Sequence, residues 1–538
     1  MRQRSPNAPR IPPWAHEAPL ELRADGLIGE EKGSSPSGLV IHGPVILRIR
    51  EGVIEYIGAD DGSVGSSRTY RRIDLPGCVI APGFVDAHVH ATSTGALIDG
   101  LDLRGCTSAT ELLSLVRDAC RGASMDVLIG HGWDETEWPD GVPTVHELDD
   151  AAHGARVYLS RVDVHSALAS SALRSCVARL STQDGFDPDG PLTRQAHGAA
   201  RRAAFGSQGS AQRRKAQQAF RAASAALGIV AAHEMAGPAI SGSADLVDLL
   251  ELSQEEPGPV IRGYWGQLAE EGGIDTAAEM GAIGVGGDLF IDGALGSRTA
   301  CLREPYVTHD HTDGSGDRGA LYLHADAIAE HVIAATKARM PAGFHVIGDA
   351  ATDALCEGMG RAERQCGIEA LRTVGHRIEH IEMLDEQQQR LFTHWNLTAS
   401  VQPMFDALWG GDAGMYAERL GRQRAATLNP FASMMTAGIR LAFGSDSPVT
   451  HLGPWQAVAA AIGHHQPNER LTAHAAFLAH TRHGWAAAGE SGGVLAVGQP
   501  AHLAVWQSAG HSITEMSSAP PRCVLTLVHG AITHQGTW

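Results

Sequence analysis

The sharpest chemical feature of this 538-residue chain is a pair of histidines one residue apart, in Gly83-Phe-Val-Asp-Ala-His-Val-His90. Residues two apart on an extended strand face the same side, so His88 and His90 project together. An isolated His-x-His pair reads as readily as two ordinary histidines on a half-exposed strand, but three later segments change that. Phe344-His-Val-Ile-Gly-Asp349 and Leu441-Ala-Phe-Gly-Ser-Asp-Ser-Pro-Val449 each run from apolar residues into polar ones, as a buried strand does when it ends in a polar mouth, and His376-Arg-Ile-Glu-His380 is read as a strand end of the same kind. Singly, each polar residue is a cap or a hydrogen-bonded core group. Together His88, His90, His345, His380 and Asp446 supply four imidazoles and one carboxylate, a donor set that suits borderline divalent metals such as zinc.

Those residues need strands to carry them. From about residue 81 to 490, strand-like runs alternate with Ala-rich helical stretches, the βα pattern of parallel strands. Candidate strands end near His90, Trp133, His165, His233, Trp265, Asp292, Gly348, His380, Gln402 and Asp446. That is two more than a (β/α)8 barrel needs. The second and third of them fall in a loop-rich segment, about 104–200, assigned to an insertion after the first barrel strand. The Ala/Arg/Gln stretch 199–227 is expected to be helical. Short apolar runs punctuated by turns flank the barrel at 18–80 and 491–538, and read as one small β-module built from both termini. Residues 1–17 read as a disordered polar tail. The fold class is therefore α/β, with every candidate ligand at the C-terminal end of a barrel strand, where barrel enzymes place their chemistry.

In order along residues 40–505 the chain also carries Ala81-Pro-Gly-Phe-Val-Asp-Ala-His-Val-His90, Gly132-Trp-Asp-Glu, Asp163-Val-His165, Asp292-Gly-Ala-Leu-Gly-Ser-Arg-Thr-Ala300, His345-Val-Ile-Gly-Asp349, Arg377-Ile-Glu-His380, Ser400-Val-Gln-Pro403 and Gly444-Ser-Asp-Ser-Pro-Val449. This series resembles the amidohydrolase superfamily, and within it the amidohydrolase family 3 branch of YtcJ-like and N-substituted-formamide-deformylase-like proteins. The resemblance implies a distorted TIM barrel with a small β-sandwich module and hydrolysis of non-peptide carbon–nitrogen bonds. By position it makes His88 and His90 metal ligands from strand one, His345 from strand five and His380 from strand six, with Asp446 the acid of strand eight. Asp446 is then both a metal contact and the catalytic proton shuttle. His380, if not itself a ligand, holds the water or the carbonyl.

One position departs from the branch, many members of which have a carboxylated lysine bridging two metals four residues before the Asp-Gly of strand four. Here that residue is Asp288, and the three lysines, Lys32, Lys215 and Lys337, lie in a predicted flank or helices. A carbamylated lysine oxygen stands about four bonds, roughly 5 Å, further from Cα than an Asp oxygen. One divalent ion, zinc by its donors, is therefore expected rather than two, with Asp288 either orienting a ligand from behind or supporting a weak second ion. For the substrate side, tryptophans expected in loops (Trp133, Trp138, Trp409 and Trp455) read equally as pocket walls or as core or surface packing. His165, Arg298 and Gln402 are candidate substrate contacts. His233 is expected to be a satisfied core histidine.

Composition narrows the partners. Lys plus Arg number 42 against 61 Asp plus Glu, a formal charge of −19, which argues against a dedicated binder of nucleic acid or of anionic membranes. No apolar run reaches membrane-spanning length and the start of the chain lacks a secretory pattern. The eight cysteines are scattered without a C-x-x-C pair, as expected for a reducing cytoplasm. The expected partner is a small amide, N-formyl or N-acyl compound, and self-association into a homo-oligomer stays open. A deaminase or an ester or lactone hydrolase of the same superfamily, or a degenerate binding or regulatory relative, are the competing readings.

Overall fold

The first barrel strand, Phe84–Val89, is buried at all six positions. A parallel strand covered on both faces needs that, and it explains why Asp86 and His88 interrupt an otherwise apolar run. In a computed structural model the described residues are 12–15, 18–30, 39–61, 69–122, 126–162, 166–238, 240–307, 316–508 and 512–538. Seven more strands complete the barrel: Ile229–Ala236, Val260–Trp265, Gly284–Val285, Gly343–Val346, Arg377–His380, Thr398–Val401 and Arg440–Phe443. They form two four-stranded parallel sheets, strands one to four and strands five to eight, each paired in sequence order. Among the described residues only isolated parallel bridges join the halves, Val285 to Ala342 and Phe290 to His345 at one seam and Val89 to Ser447 at the other. The barrel is thus distorted, with weak closure between strands four and five and between eight and one.

Strand four corrects an expectation, because it stops at Val285 instead of running to Asp292. Gly286 and Gly287 follow with φ of 136° and 91°, a region open to glycine. A Cβ on Gly286 would stand 2.2 Å from the Gly343 carbonyl oxygen. Only paired glycines let the chain turn in this tightly against strand five, and Asp288 is the next residue.

The insertion builds its own five-stranded sheet, from Leu101–Asp102, Leu128–Trp133, Val157–Arg161, Ser166–Ala169 and Leu192–Thr193. The helical stretch after it is two helices, Arg194–Gly206 and Ser210–Ala226. Strands from both ends of the chain share one eight-stranded sheet, in which Arg71–Pro82 lies between Leu20–Glu30 (parallel) and Leu503–Gln507 (antiparallel). Leu22, Leu47, Ile54, Leu75, Ile80 and Leu503 belong to its single core. The expected tail lies outside the described residues at 1–11 and 16–17; at Pro13–Ala15 it is an ordered turn, whose Trp14 indole donates to the Ser253 carbonyl at 3.3 Å.

Glu21 gives the β-module a pH signature. Its buried carboxylate accepts from Arg23 Nε at 3.0 Å and Arg48 Nε at 2.7 Å. Burial pushes its pKa up, but the hydrogen bonds from Arg48 and Arg23 outweigh burial and hold it below the ordinary value of 4.5. A depressed folded-state pKa adds stability above the unfolded value and loses it as pH falls. Glu21→Gln should therefore melt below wild type at pH 7, and the gap should close toward about pH 4. Melting curves at both pH values check this; an equal gap would show that the ion pairs contribute nothing.

Candidate metal centre

Asp86, His88 and His90 alternate along strand one and its end, so all three turn into the barrel. His88 Nε2 lies 3.4 Å from Asp446 Oδ1 and 3.6 Å from Asp288 Oδ1. His90 Nε2 lies 3.0 Å from Asp288 Oδ2 and 3.3 Å from Asp446 Oδ1, and His380 Nε2 is 3.6 Å from Asp288 Oδ1. Ligand atoms arranged tetrahedrally around one zinc at ordinary bond lengths stand about 3.3 Å apart. Two ligand-like groups emerge, His88 with Asp288 and His380, and His88 with His90 and Asp446. They share His88. Among the described residues, His88 Nε2 and Asp288 Oδ1, two buried atoms that face this centre, have no hydrogen-bond partner, which is costly unless something else satisfies them. These residues fit a divalent ion.

The imidazoles are aimed from behind. His88 Nδ1 donates to Glu379 Oε2 at 2.8 Å and His380 Nδ1 to Gln402 Oε1 at 2.8 Å. Each bond fixes the tautomer that leaves Nε2 free toward the centre. Glu379 is itself gripped by Arg377, Nε to Oε1 at 2.6 Å and Nη2 to Oε2 at 2.9 Å. The Arg377 guanidinium also donates to the Ala87 carbonyl at 2.6 Å, Ser400 Oγ at 2.9 Å and His233 Nδ1 at 3.0 Å, and lies 4.5 Å from the Tyr264 ring centre. His233 is a buried core histidine whose Nδ1 accepts from an arginine, but it is not the fully satisfied one expected, since among the described residues its buried Nε2 has no hydrogen-bond partner.

At the far seam Asp86 Oδ1 accepts from the Ser445 amide at 2.9 Å, and the Asp446 amide donates to the His88 carbonyl at 2.8 Å. His380 and Asp446 adopt φ of 67° and 53°, left-handed conformations that cost of order 1 kcal/mol or more each.

Charge is concentrated at the same point. Burial alone would depress the His90 imidazolium, but hydrogen bonds to Asp288 and Asp446 override it and raise its pKa to about 9. His88 is raised well above its usual range by the charges of Asp288 and Asp446, again against burial. Both carboxylates are held far below theirs, His88 being the largest influence opposing burial. His345 goes the other way, to about 3, through burial and the neighbouring His380. Two buried acids require positive charge here; protons on the imidazoles and a metal ion compete to supply it at the same nitrogens.

The cluster forms one wall of a cavity of about 430 Å³, with apolar walls that include Phe290, Leu295, Phe405 and Trp409. That size suits a small molecule. His345 lines it, its ring centre 4.5 Å from that of His380, but stands outside both ligand-like groups. Of the loop tryptophans Trp409 is a wall residue, whereas the three others are packing residues, which corrects the pocket-wall reading for them. Trp133 and Trp138 sit in the insertion's core, their indoles donating to the carbonyls of Leu159 and Cys106 at 2.8 and 2.9 Å, and Trp455 packs edge-on against Phe84. Arg298 also lies off the cavity lining: its guanidinium donates to the Val307 carbonyl at 3.2 Å and sits over Tyr306. Gln402 serves His380 rather than the cavity. His165 lies outside the described residues.

Sequence reasoning passed over Arg377 and Glu379, although charges alternating along a short strand were a usable signal. It also passed over Asp292, whose carboxylate accepts from the amides of Cys301, Ile347 and Gly348 at 2.8, 3.0 and 2.8 Å and ties the loop after strand four to the end of strand five.

A family model described as the amidohydrolase family matches residues 71–534. The chain belongs to the amidohydrolase family. Protein LONG AFTER FAR-RED 3 of Arabidopsis thaliana is 27% identical over 77% of this chain and 74% of its own length. The putative amidohydrolase YtcJ of Bacillus subtilis is also 27% identical, over 77% of this chain and 79% of its own. N-substituted formamide deformylase of Arthrobacter pascens is 22% identical over 80% and 84%. An uncharacterised metal-dependent hydrolase from Pyrococcus furiosus superposes with a TM-score of 0.73 at 24% identity, over 91% of this chain and 99% of that one. As a member of this family the chain is a metal-dependent hydrolase of carbon–nitrogen bonds, with the barrel and β-module that the sequence pattern implies.

Proposed function

We propose that the protein hydrolyses a small amide, an N-formyl or N-acyl compound, at a single divalent ion, zinc by its donors. The observation that supports this is the gathering of His88, His90, His380, Asp288 and Asp446, in two ligand-like groups that share His88, at one side of a substrate-sized cavity. Those five side chains would hold the ion, and the Lewis acidity it supplies when bound acidifies water and polarises a carbonyl. Asp446 accepts the proton of the attacking water and returns it to the amine nitrogen as the C–N bond breaks. His345, kept neutral by burial, lines the cavity beside His380; its Nδ1 is buried 3.9 Å from Asp292 Oδ1, so a hydrogen bond to the substrate would fall to its other ring nitrogen.

The shared His88 supports one ion rather than two. Its Nδ1 is committed to Glu379, so its Nε2 serves a single centre. Asp288 then acts as a direct ligand, because the Gly286–Gly287 turn brings its short side chain in. Metal analysis of protein purified without chelator should give one equivalent per chain, and Asp288→Ala should weaken retention at least about tenfold. Two firmly held equivalents would overturn the single-ion site, and unchanged retention would remove Asp288 from the ligand set.

Release of amine or formate from a panel of N-formyl and N-acyl amides tests the reaction itself. Turnover confined to esters or aminated heterocycles would move it to another reaction class, and bound metal without any turnover would favour a binding role. We place the protein in the cytoplasm, a reading supported by eight unpaired cysteines. Among the described residues no helix is long and apolar enough to cross a membrane.

A further inference from the structure

The cavity has a second polar region that the chemistry above does not use. Helix Arg194–Gly206, which follows the insertion's sheet, brings Gly198, Arg201 and Arg202 to its lining, spaced i, i+3 and i+4 on one face. A Cβ at Gly198 would come within 3.5 Å of an Arg202 guanidinium nitrogen, so that side chain folds back along the helix over the glycine. Arg201 is half-buried, its guanidinium 5.9 Å from the Phe205 ring centre, and Arg202 is exposed.

Among the described residues neither guanidinium pairs with a carboxylate. Their neighbours Arg194 and Arg213 do, with Asp184 at 2.9 Å and Asp248 at 2.7 Å. Two adjacent cations without acidic partners, facing a cavity whose other polar wall is acidic, form a place for an anion. Apolar side chains, among them Phe290, Phe405 and Trp409, complete the lining.

We propose that Arg201 and Arg202 form an oxyanion-recognition subsite, and that the substrate is an N-acyl or N-formyl compound with an apolar body and a carboxylate remote from the scissile bond. The identity of that bond rests on the hydrolase reading; the subsite does not. A guanidinium fork matches the paired oxygens of a carboxylate, and those of a phosphonate nearly as well, so the test separates the two.

Calorimetric titration of the metal-loaded full chain with phenylacetate, phenylacetamide and benzylphosphonate reads the subsite without turnover. Phenylacetate should bind about 10- to 100-fold tighter than phenylacetamide, and Arg201→Ala/Arg202→Ala should abolish that preference with metal content and melting temperature unchanged. A preference that survives in the double variant belongs to the metal centre and overturns the proposal, as does equal binding in wild type. Benzylphosphonate bound tighter than phenylacetate, and lost in the same variant, would overturn the carboxylate assignment in favour of a phosphoryl group.

In turnover, 4-(acetamidomethyl)benzoate, whose carboxylate lies across the ring from the scissile bond, should exceed N-benzylacetamide, its decarboxylated analogue, in kcat/KM by a similar factor, which the double variant should erase. Equal values for the two compounds overturn the subsite while leaving the hydrolase reading intact. No amine from either compound, with the binding preference present, would sink the N-acyl substrate class and keep the subsite.

Discussion

Asp446→Asn should fold, retain its metal and lose about 100- to 10,000-fold in kcat, the range expected when a general acid–base is removed. Asparagine is nearly isosteric and keeps an oxygen where Asp446 Oδ1 stands, 3.3 Å from His90 Nε2 and 3.4 Å from His88 Nε2. The amide cannot take up a proton from water or deliver one to a leaving amine. The Asp446 backbone is anchored independently of the carboxylate, its amide bonded to the His88 carbonyl at 2.8 Å. Steady-state kinetics on the best amide of the panel, paired with metal analysis, separates the explanations. Near-normal kcat would discredit Asp446 as the proton shuttle, and a loss that follows metal content would make it a ligand alone.

Arg377→Met should cost about 3–5 kcal/mol of stability, because it leaves Glu379 as an uncompensated buried charge. Both side chains are fully buried, and Arg377 grips Glu379 through two hydrogen bonds. Methionine fills much of the volume but supplies none of the donors to Glu379, the Ala87 carbonyl, Ser400 or His233. Pairing the change with Glu379→Gln should recover part of the loss, since the stranded charge is then gone. Urea and thermal unfolding of the single and double variants check this. A single variant as stable as wild type would show that the pair contributes nothing, and a double variant worse than the single would show that Glu379 is held by His88 rather than by Arg377.

Much of the candidate site was legible because chemistry and periodicity coincide in it. His88 and His90 are two apart on a strand, and His345 and Asp446 follow short apolar runs, so their placement at strand ends follows from local pattern, whereas His380 follows the charged Arg377-Ile-Glu379 and was placed by the βα alternation around it. Asp288 was legible as a substitution but not as a ligand. Its reach depends on the turn at Gly286–Gly287, and on strand four ending several residues earlier than the apolar run Leu289–Ile291 suggests. Trp133, Trp138 and Trp455 stayed open for a different reason. Aromatic residues in loop-like segments fill the insertion's core or the barrel's flank equally well, and burial there is decided by neighbours distant in sequence.

Local sequence, through residue type and strand or helix period, by itself determined the family, the α/β alternation and the strand ends that bear the imidazoles and Asp446. The tertiary structure decided which groups meet: Arg377 with Glu379 and His233, Gln402 behind His380, Asp288 among three imidazoles, and Arg201 and Arg202 at a cavity whose other wall comes from the barrel. The reason is physical. Periodicity is a property of neighbours along the chain, whereas the cost of a buried charge or an unpartnered nitrogen is set by whatever the fold brings alongside it.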